Sequence, residues 1–191
     1  MDPPNDDRSI ERAWLRRIAE GDRSAFEALF RAYERRLYRY AARVLADDDA
    51  ANDVVADVMI EVWRSAKRYE GRSQPSTWIF GIAHHKAHDA LRRKHREVAR
   101  LRLAQAPQQD DRDPLERVIA ESARAEIDAA LDRISPDHRA VLHLTFILGY
   151  SQADIAAIVG CPIGTVKTRV HHAKRALRTA LANSESERRI S

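Results

Sequence analysis

One cysteine, Cys161, is all the chain carries in 191 residues. An intramolecular disulfide is therefore excluded, and so is a four-cysteine zinc site. A lone thiol fits a reducing compartment, so the expected location is the cytoplasm. No stretch approaches the ~18 apolar residues of a membrane span, and no membrane contact of its own is expected. Residues 1–7 are acidic and proline-bearing without an apolar run, which is not the pattern of a signal peptide. Strand-like alternation is hard to find, and no internal repeat stands out. Neither sign of charge dominates: 33 basic residues meet 29 acidic ones, for a formal net charge of +4. Where the charge clusters therefore says more about partners than its total.

What is present is helical period. A short helix is expected over residues 9–20, with Ile10, Trp14, Leu15 and Ile18 inward, closed by Gly21 and Asp22. A long one follows over 24–46, striped by Phe26, Leu29, Phe30, Tyr33, Leu37, Tyr40, Val44 and Leu45. Asp47, Asp48 and Asp49 suit the N-terminus of a third helix, reaching about residue 67 with Val54, Val55, Val58, Val62 and Trp63 inward. Residues 69–76 carry Gly, Ser and Pro and read as an ordered loop. A fourth helix is expected over 77–96, with Trp78, Ile79, Ile82, Ala83 and Leu91 inward and a basic end at Arg92, Arg93, Lys94 and Arg96.

From residue 98 to 113 the apolar period fails, and Pro107 and Pro114 frame a polar stretch. That places a flexible linker at 98–113 between a first domain, 1–97, and a second, 114–182, with a disordered polar tail at 183–191. In the second domain Ser135 and Pro136 look like an N-cap followed by proline at the first helical position. The helix after them carries Ala140, Val141, Leu144, Ile147 and Leu148 inward and stops at Gly149. The predicted fold is all-α: two small helical domains joined by that linker.

Residues 150–181 form the strongest constellation. Ser151 with Asp154 three residues on resembles a capping box, and Ile155, Ala156 and Val159 give the short helix an apolar side. Gly160 suits a tight turn and Pro162 the first turn of the next helix. In that helix Ile163, Val166, Val170, Ala173, Leu177 and Leu181 form one stripe. The other side holds Thr165, Lys167, Thr168, Arg169, His171, His172, Lys174, Arg175 and Arg178, and no acid occurs between Pro162 and Ala182. Short helix, turn and basic second helix is the helix-turn-helix pattern that lays a recognition helix in the major groove. Periodicity alone leaves a solvated basic helix open; the absence of acids weighs against it, because solvated faces mix signs. Cys161 is most simply a packing residue at the turn.

Two other clusters have simple readings from spacing. Asp53, Asp57 and Glu61 recur four apart on one helix side, which alone suggests a solvated acidic face. His84 and His88 are also four apart, with His85 between, but no Glu follows His84 and no third ligand stands nearby. No metal and no cofactor are expected.

The segment 160–175, Gly-Cys-Pro-Ile-Gly-Thr-Val-Lys-Thr-Arg-Val-His-His-Ala-Lys-Arg, closely resembles the recognition segment of extracytoplasmic-function sigma factors, the small two-domain members of the sigma-70 family. Segments 131–142 and 149–156 resemble the preceding helices of the same domain. In the first half, 21–26 is similar to the family's opening, 53–63 to its polymerase-docking helix, and 77–83 with 89–93 to its promoter-melting helix. The resemblance runs in the family's order over roughly residues 9–182. Three departures stand out: Ala56 where the family usually has Gln, His84 and His85 where Arg and Asn are frequent, and His172 where Arg is common.

The resemblance implies an alternative sigma factor, not an enzyme, that binds core RNA polymerase and directs promoter recognition and melting. Asp53, Asp57 and Glu61 would dock on the polymerase. Arg72, Ser73, Thr77, Trp78, His85, Lys86, Arg92 and Arg93 would hold the downstream element and the opened strand. Thr165, Lys167, Thr168, Arg169, His171, His172, Lys174 and Arg175 would read the upstream element. Implied partners are core RNA polymerase, promoter DNA and an anti-sigma factor. The competing reading is a free-standing helix-turn-helix regulator, which would bind duplex DNA without polymerase.

Overall fold

A computed structural model describes residues 5–104 and 122–190, with side chains over 8–100 and 127–183. Residues 105–121, most of the expected linker, lie outside the described residues. Every regular element among those described is helical. α1 spans Asn5–Ala19, α2 Arg23–Leu45, α3 Asp48–Ser65, and a 3₁₀ turn Ala66–Arg68 leads through a loop to α4, Pro75–Ala104. α5 spans Ser122–Asp132, α6 Pro136–Leu142, α7 Gln152–Val159 and α8 Ile163–Ile190.

The helix starts follow from short polar residues. Asp22 accepts hydrogen bonds from the backbone N–H of Ser24 at 2.8 Å and of Ala25 at 3.2 Å, capping α2. The Ser24 hydroxyl, the Ala25 amide and Arg17 together hold its carboxyl down to about 2. Asp47 caps α3 through the Ala50 N–H. Ser135 caps α6 with Pro136 in its first turn, as the sequence predicts.

Two helices outrun their predicted ends. α4 continues through residues 98–104, where the apolar period fails, because Val-Ala-Arg-Leu-Arg-Leu-Ala holds good helix formers and no Gly or Pro. α8 continues past Asn183 to Ile190, where a disordered tail was expected, for the same reason.

In the first half Leu29, Tyr33, Leu37, Tyr40 and Val44 of α2 pack against Val54, Val58 and Val62 of α3 and Ile79, Phe80, Ala83 and Ala87 of α4. In the second, Ala140, Val141 and Leu144 meet Ile155, Ile158, Val166, Val170 and Ala173. Four residues expected inward are instead exposed: Ile10, Trp63, Ile147 and Ile163. Ile147 has a clear cause. A π-helical turn, His143–Ile147, continues α6, and the Leu148 N–H donates to the His143 carbonyl five residues back. The extra residue rotates the stripe, turning Ile147 out to 64% exposure and His143 in.

The two halves do not stand apart. α7 lies along α4, and α6 lies against α2. Tyr40 packs edge-on to Phe80, and Phe80 to Tyr150, each with ring centroids 5.6 Å apart. α4 passes α7 at Gly81, where a Cβ would make ordinary contact, 3.9 Å, with the Ile158 carbonyl oxygen. Thr77 donates to Asp154 at 3.2 Å, and Arg43 pairs with Asp128 at 2.5 Å. One apolar core therefore runs through both halves.

Candidate nucleic-acid interface

The helix-turn-helix is assembled by the local signals read from sequence. The Ser151 hydroxyl accepts from the Asp154 N–H at 3.1 Å and donates to the Asp154 carboxylate at 2.6 Å, fixing the start of α7. Gly160 closes α7 at φ 67, a left-handed conformation in which a side chain is strained. The Pro162 carbonyl accepts from Thr165 and Val166, opening α8. Val166, Val170 and Ala173 lock α8 inward. That leaves Thr165, Lys167, Thr168, His171, His172, Lys174 and Arg175 exposed on one continuous surface. Thr168 turns its hydroxyl back to the Gly164 carbonyl, and Lys174 sits 4.8 Å over the Phe146 ring. Arg169 differs from its neighbours. It is half-buried and its guanidinium lies 3.6 Å from Asp137 of α6.

The residues predicted for the downstream element gather at the start of α4. Tyr69 donates to the Ser73 carbonyl at 2.6 Å and its ring lies 5.2 Å from Trp78, so the loop before α4 is braced. Ser73, Thr77, Trp78, His85 and Lys86 line one open depression of about 420 Å³. Arg72, Arg92 and Arg93 do not join them: they pair with Glu70, Asp89 and Asp57 respectively. Thr77 is only 3% exposed, beneath α7, with its hydroxyl committed to Asp154. His85 is exposed, and its Nδ1 bonds the Gly81 carbonyl.

The acidic strip is a row along α3, as its spacing predicts, yet it is not free of cations. Asp57 lies 4.0 Å from Arg93, and Glu61 lies 3.4 Å from Arg68 and 3.8 Å from Lys86. Ala56 leaves an open depression between α3 and α4, lined also by Asp53, Asp57, Ala90 and Arg93. Beside the strip, Ile60 and Trp63 are exposed, with Trp63 edge-on to Phe26 at 5.2 Å. Sequence reasoning missed this apolar edge. The available signal was the i, i+4, i+7 spacing of Ala56, Ile60 and Trp63 outside the Val stripe.

Comparison with known proteins then decides the family. A model of sigma-70 region 2 matches residues 29–97, and one of sigma-70 region 4 matches residues 124–177. The chain belongs to the extracytoplasmic-function sigma factors of the sigma-70 family. This sigma factor is 34% identical over 181 residues to ECF RNA polymerase sigma factor SigE of Mycolicibacterium smegmatis, covering 88% of this chain and 67% of that one. It is 31% identical to RNA polymerase sigma factor CarQ of Myxococcus xanthus, covering 91% and 98%. Its fold is similar to RpoE solved in complex with the anti-sigma factor NepR from Bartonella quintana, with TM-score 0.66 and 26% identity, covering 82% of this chain and 96% of that one. CnrH, solved with the cytosolic domain of CnrY, also has TM-score 0.66, at 24% identity and covering 91% and 98%. The chain is therefore an alternative sigma factor that directs transcription initiation, a class of regulators rather than enzymes. No helix among the described residues is long and apolar enough to cross a membrane.

Proposed function

We propose that this sigma factor divides promoter work between its halves. Residues 1–97 dock on core RNA polymerase and open the downstream element; residues 114–182 read the upstream element. The exposed surface of α8 from Thr165 to Arg175, a stretch without an acid, carries the reading. Thr165, Lys167, Thr168, His171, His172, Lys174 and Arg175 meet a major groove there, with Arg169 freed from Asp137 to reach a base edge. Asp53, Asp57 and Glu61 meet basic residues of the polymerase, and Ile60 and Trp63 add apolar contact beside them.

Ser73, Thr77, Trp78, His85 and Lys86 surround the depression at the start of α4, where an extruded base of the opened strand would stack and bond. Arg72, Arg92 and Arg93 exchange their surface carboxylates for phosphates. The chain performs no bond chemistry of its own and needs no cofactor. It acts in the cytoplasm, and an anti-sigma factor holds it there, a reading supported by the solved complex of RpoE with an anti-sigma factor.

Run-off transcription from genomic promoters with purified core polymerase tests the reading. The expected result is co-elution of the chain with core polymerase and start sites downstream of two shared sequence elements. Retained duplex binding without any polymerase complex would overturn it in favour of a free-standing regulator.

A further inference from the structure

The seam between the halves buries groups that promoter contact requires. Thr77, at the downstream-element site, is covered by α7. Arg169, on the recognition helix, is turned toward Asp137, and the same Asp137 lies 3.6 Å from His88 of α4. A duplex cannot reach Thr77 while α7 rests on α4, whereas the Arg169–Asp137 pair lies within the second half and stays partly exposed. At the centre of the seam sits Tyr40, fully buried, with a histidine on each side. His84 of α4 shares a 2.9 Å hydrogen bond with the Tyr40 hydroxyl. His143, from the second half, packs edge-on to the Tyr40 ring at 5.9 Å.

We propose that this closed arrangement is a resting form that withholds Thr77 at the downstream-element site, and that His143, packed across the seam on Tyr40, and His84, buried behind it, keep it shut while both are neutral, so that mild acid opens the chain. The opening itself is a property of the seam; its effect on promoter binding rests on the function proposed above.

Every charged neighbour of the two rings bears on the sign. Around His84 stand His85 and His88 on its own helix and Arg169 from α8, all unfavourable to a second positive charge. Around His143 stand Arg39 and Arg43 of α2, with Arg43 already paired to Asp128 of α5. The carboxylate of Asp137 faces His88 and is shared with Arg169. The hydroxyl of Tyr40 is a neutral partner, since burial pushes it far above the usual phenol range.

Burial first, and then these cations, hold His84 down to about 3 and His143 down to about 4, against an ordinary 6.5. His88 is lowered too, by burial, with Asp137 opposing. His84 and His143 are 8% and 7% exposed, and the Nε2 of His143 finds no hydrogen-bond partner among the described residues. A charge on His143 therefore has no hydrogen-bond partner at Nε2 among the described residues, and one on His84 has the neutral Tyr40 hydroxyl but no carboxylate to offset lost hydration.

The sign follows from linkage. A histidine that titrates lower when closed than when open binds more protons in the open form between those two values. The latch is at full strength above about 6.5 and weakens as pH falls below it. From pH 7.5 to 5.5 each ring shifts the balance toward the open form roughly tenfold, and the pair about a hundredfold.

The test is small-angle scattering on the full chain at pH 7.5 and 5.5, with circular dichroism on the same samples. Wild type is expected to expand at pH 5.5, keep its helicity, and contract again at pH 7.5. His84→Asn/His143→Phe keeps an acceptor for Tyr40 and a ring against it but cannot titrate there; with His88 alone left to titrate at the seam, it is expected to expand far less than wild type at pH 5.5. His84→Lys, charged at both, is expected to be expanded already at pH 7.5. An unchanged wild-type radius would overturn the proposal, as would equal expansion of the double variant. So would loss of helicity on acidification, which marks unfolding rather than opening. None of these readings involves DNA or polymerase, so they fail or succeed apart from the proposed promoter function.

Discussion

The acidic strip of α3 and the basic surface of α8 look equivalent in one dimension: charges of one sign at helical spacing. In three dimensions they differ. Asp57 and Glu61 lie within 4.0 Å of Arg93, Arg68 and Lys86, three cations supplied by the α3–α4 side of the fold. Among the described side chains of α8, Arg169 is the one that meets a carboxylate, and Thr165, Lys167, Thr168, His171 and His172 stay on the exposed side. The strip on α3 can therefore meet a positive partner only by exchanging neighbours. The α8 surface presents uncompensated charge at once, which favours steering toward nucleic acid. Spacing says which charges share a face; packing decides how much of that charge a partner sees.

Reversal of the central acid should break the comparison most severely. Asp57→Arg places a cation beside Arg93 and against the polymerase surface that the strip is proposed to meet. A loss of about 2–5 kcal/mol in affinity for core polymerase is expected, chiefly as faster dissociation. Fluorescence anisotropy with labelled sigma factor measures it. Binding of the isolated chain to duplex DNA should be unchanged, and equal loss of both would assign Asp57 to folding instead.

The parts of this molecule that could be read in sequence are those held by neighbours in the chain. Ser151, Asp154, Gly160 and Pro162 build the helix-turn-helix within a dozen residues, and each does in the structure what its chemistry suggests. Ser135 with Pro136 behaves the same way. The seam could not be read. Thr77 meets Asp154, and Tyr40 meets His143, across separations that leave no periodic trace. In sequence His84 and His88 read as a candidate metal pair, and His84 as a departure from the family pattern. Their part in the seam depends on Tyr40 of α2 and Asp137 of α6, which helical spacing cannot bring together. The exposed Ile147 has a local cause, but one π turn shifts phase without any distinctive residue to announce it.

The next effect separates the partnered cation of α8 from its free neighbours. Arg169→Ala should weaken use of the cognate promoter by about 1–3 kcal/mol if the guanidinium reads a base, while polymerase docking holds. Single-round transcription on the cognate promoter and on variants of its upstream element measures this; unchanged output would refute the role. Lys167→Ala removes an exposed charge of the same surface. Its expected signature is different: affinity falls alike on every sequence, and the slope of log K against log salt flattens by about 1. If instead Lys167→Ala changed which bases are preferred, the division between a reading arginine and a positioning lysine would be wrong.

The smallest effect sharpens the α3 side. Ala56 leaves an open depression of about 490 Å³ between the strip and α4, at the position where the family resemblance leads one to expect Gln. Ala56→Gln adds an amide between Asp53 and Asp57 without altering charge, so the α8 surface is an internal control. A single new hydrogen bond to the polymerase contributes about 0.5–1.5 kcal/mol, seen as slower dissociation from core polymerase at unchanged DNA affinity. Because Ala56 is exposed, the folded chain should tolerate the longer side chain with little change in stability. If dissociation is not slowed, the depression is covered in the complex by something other than an amide. The exposed Ile60 and Trp63 would then carry the affinity that the missing Gln supplies elsewhere. Trp63→Ala decides between these outcomes: a large loss of docking in the Ala56 chain and a smaller one in the Ala56→Gln chain means the two contacts substitute for each other.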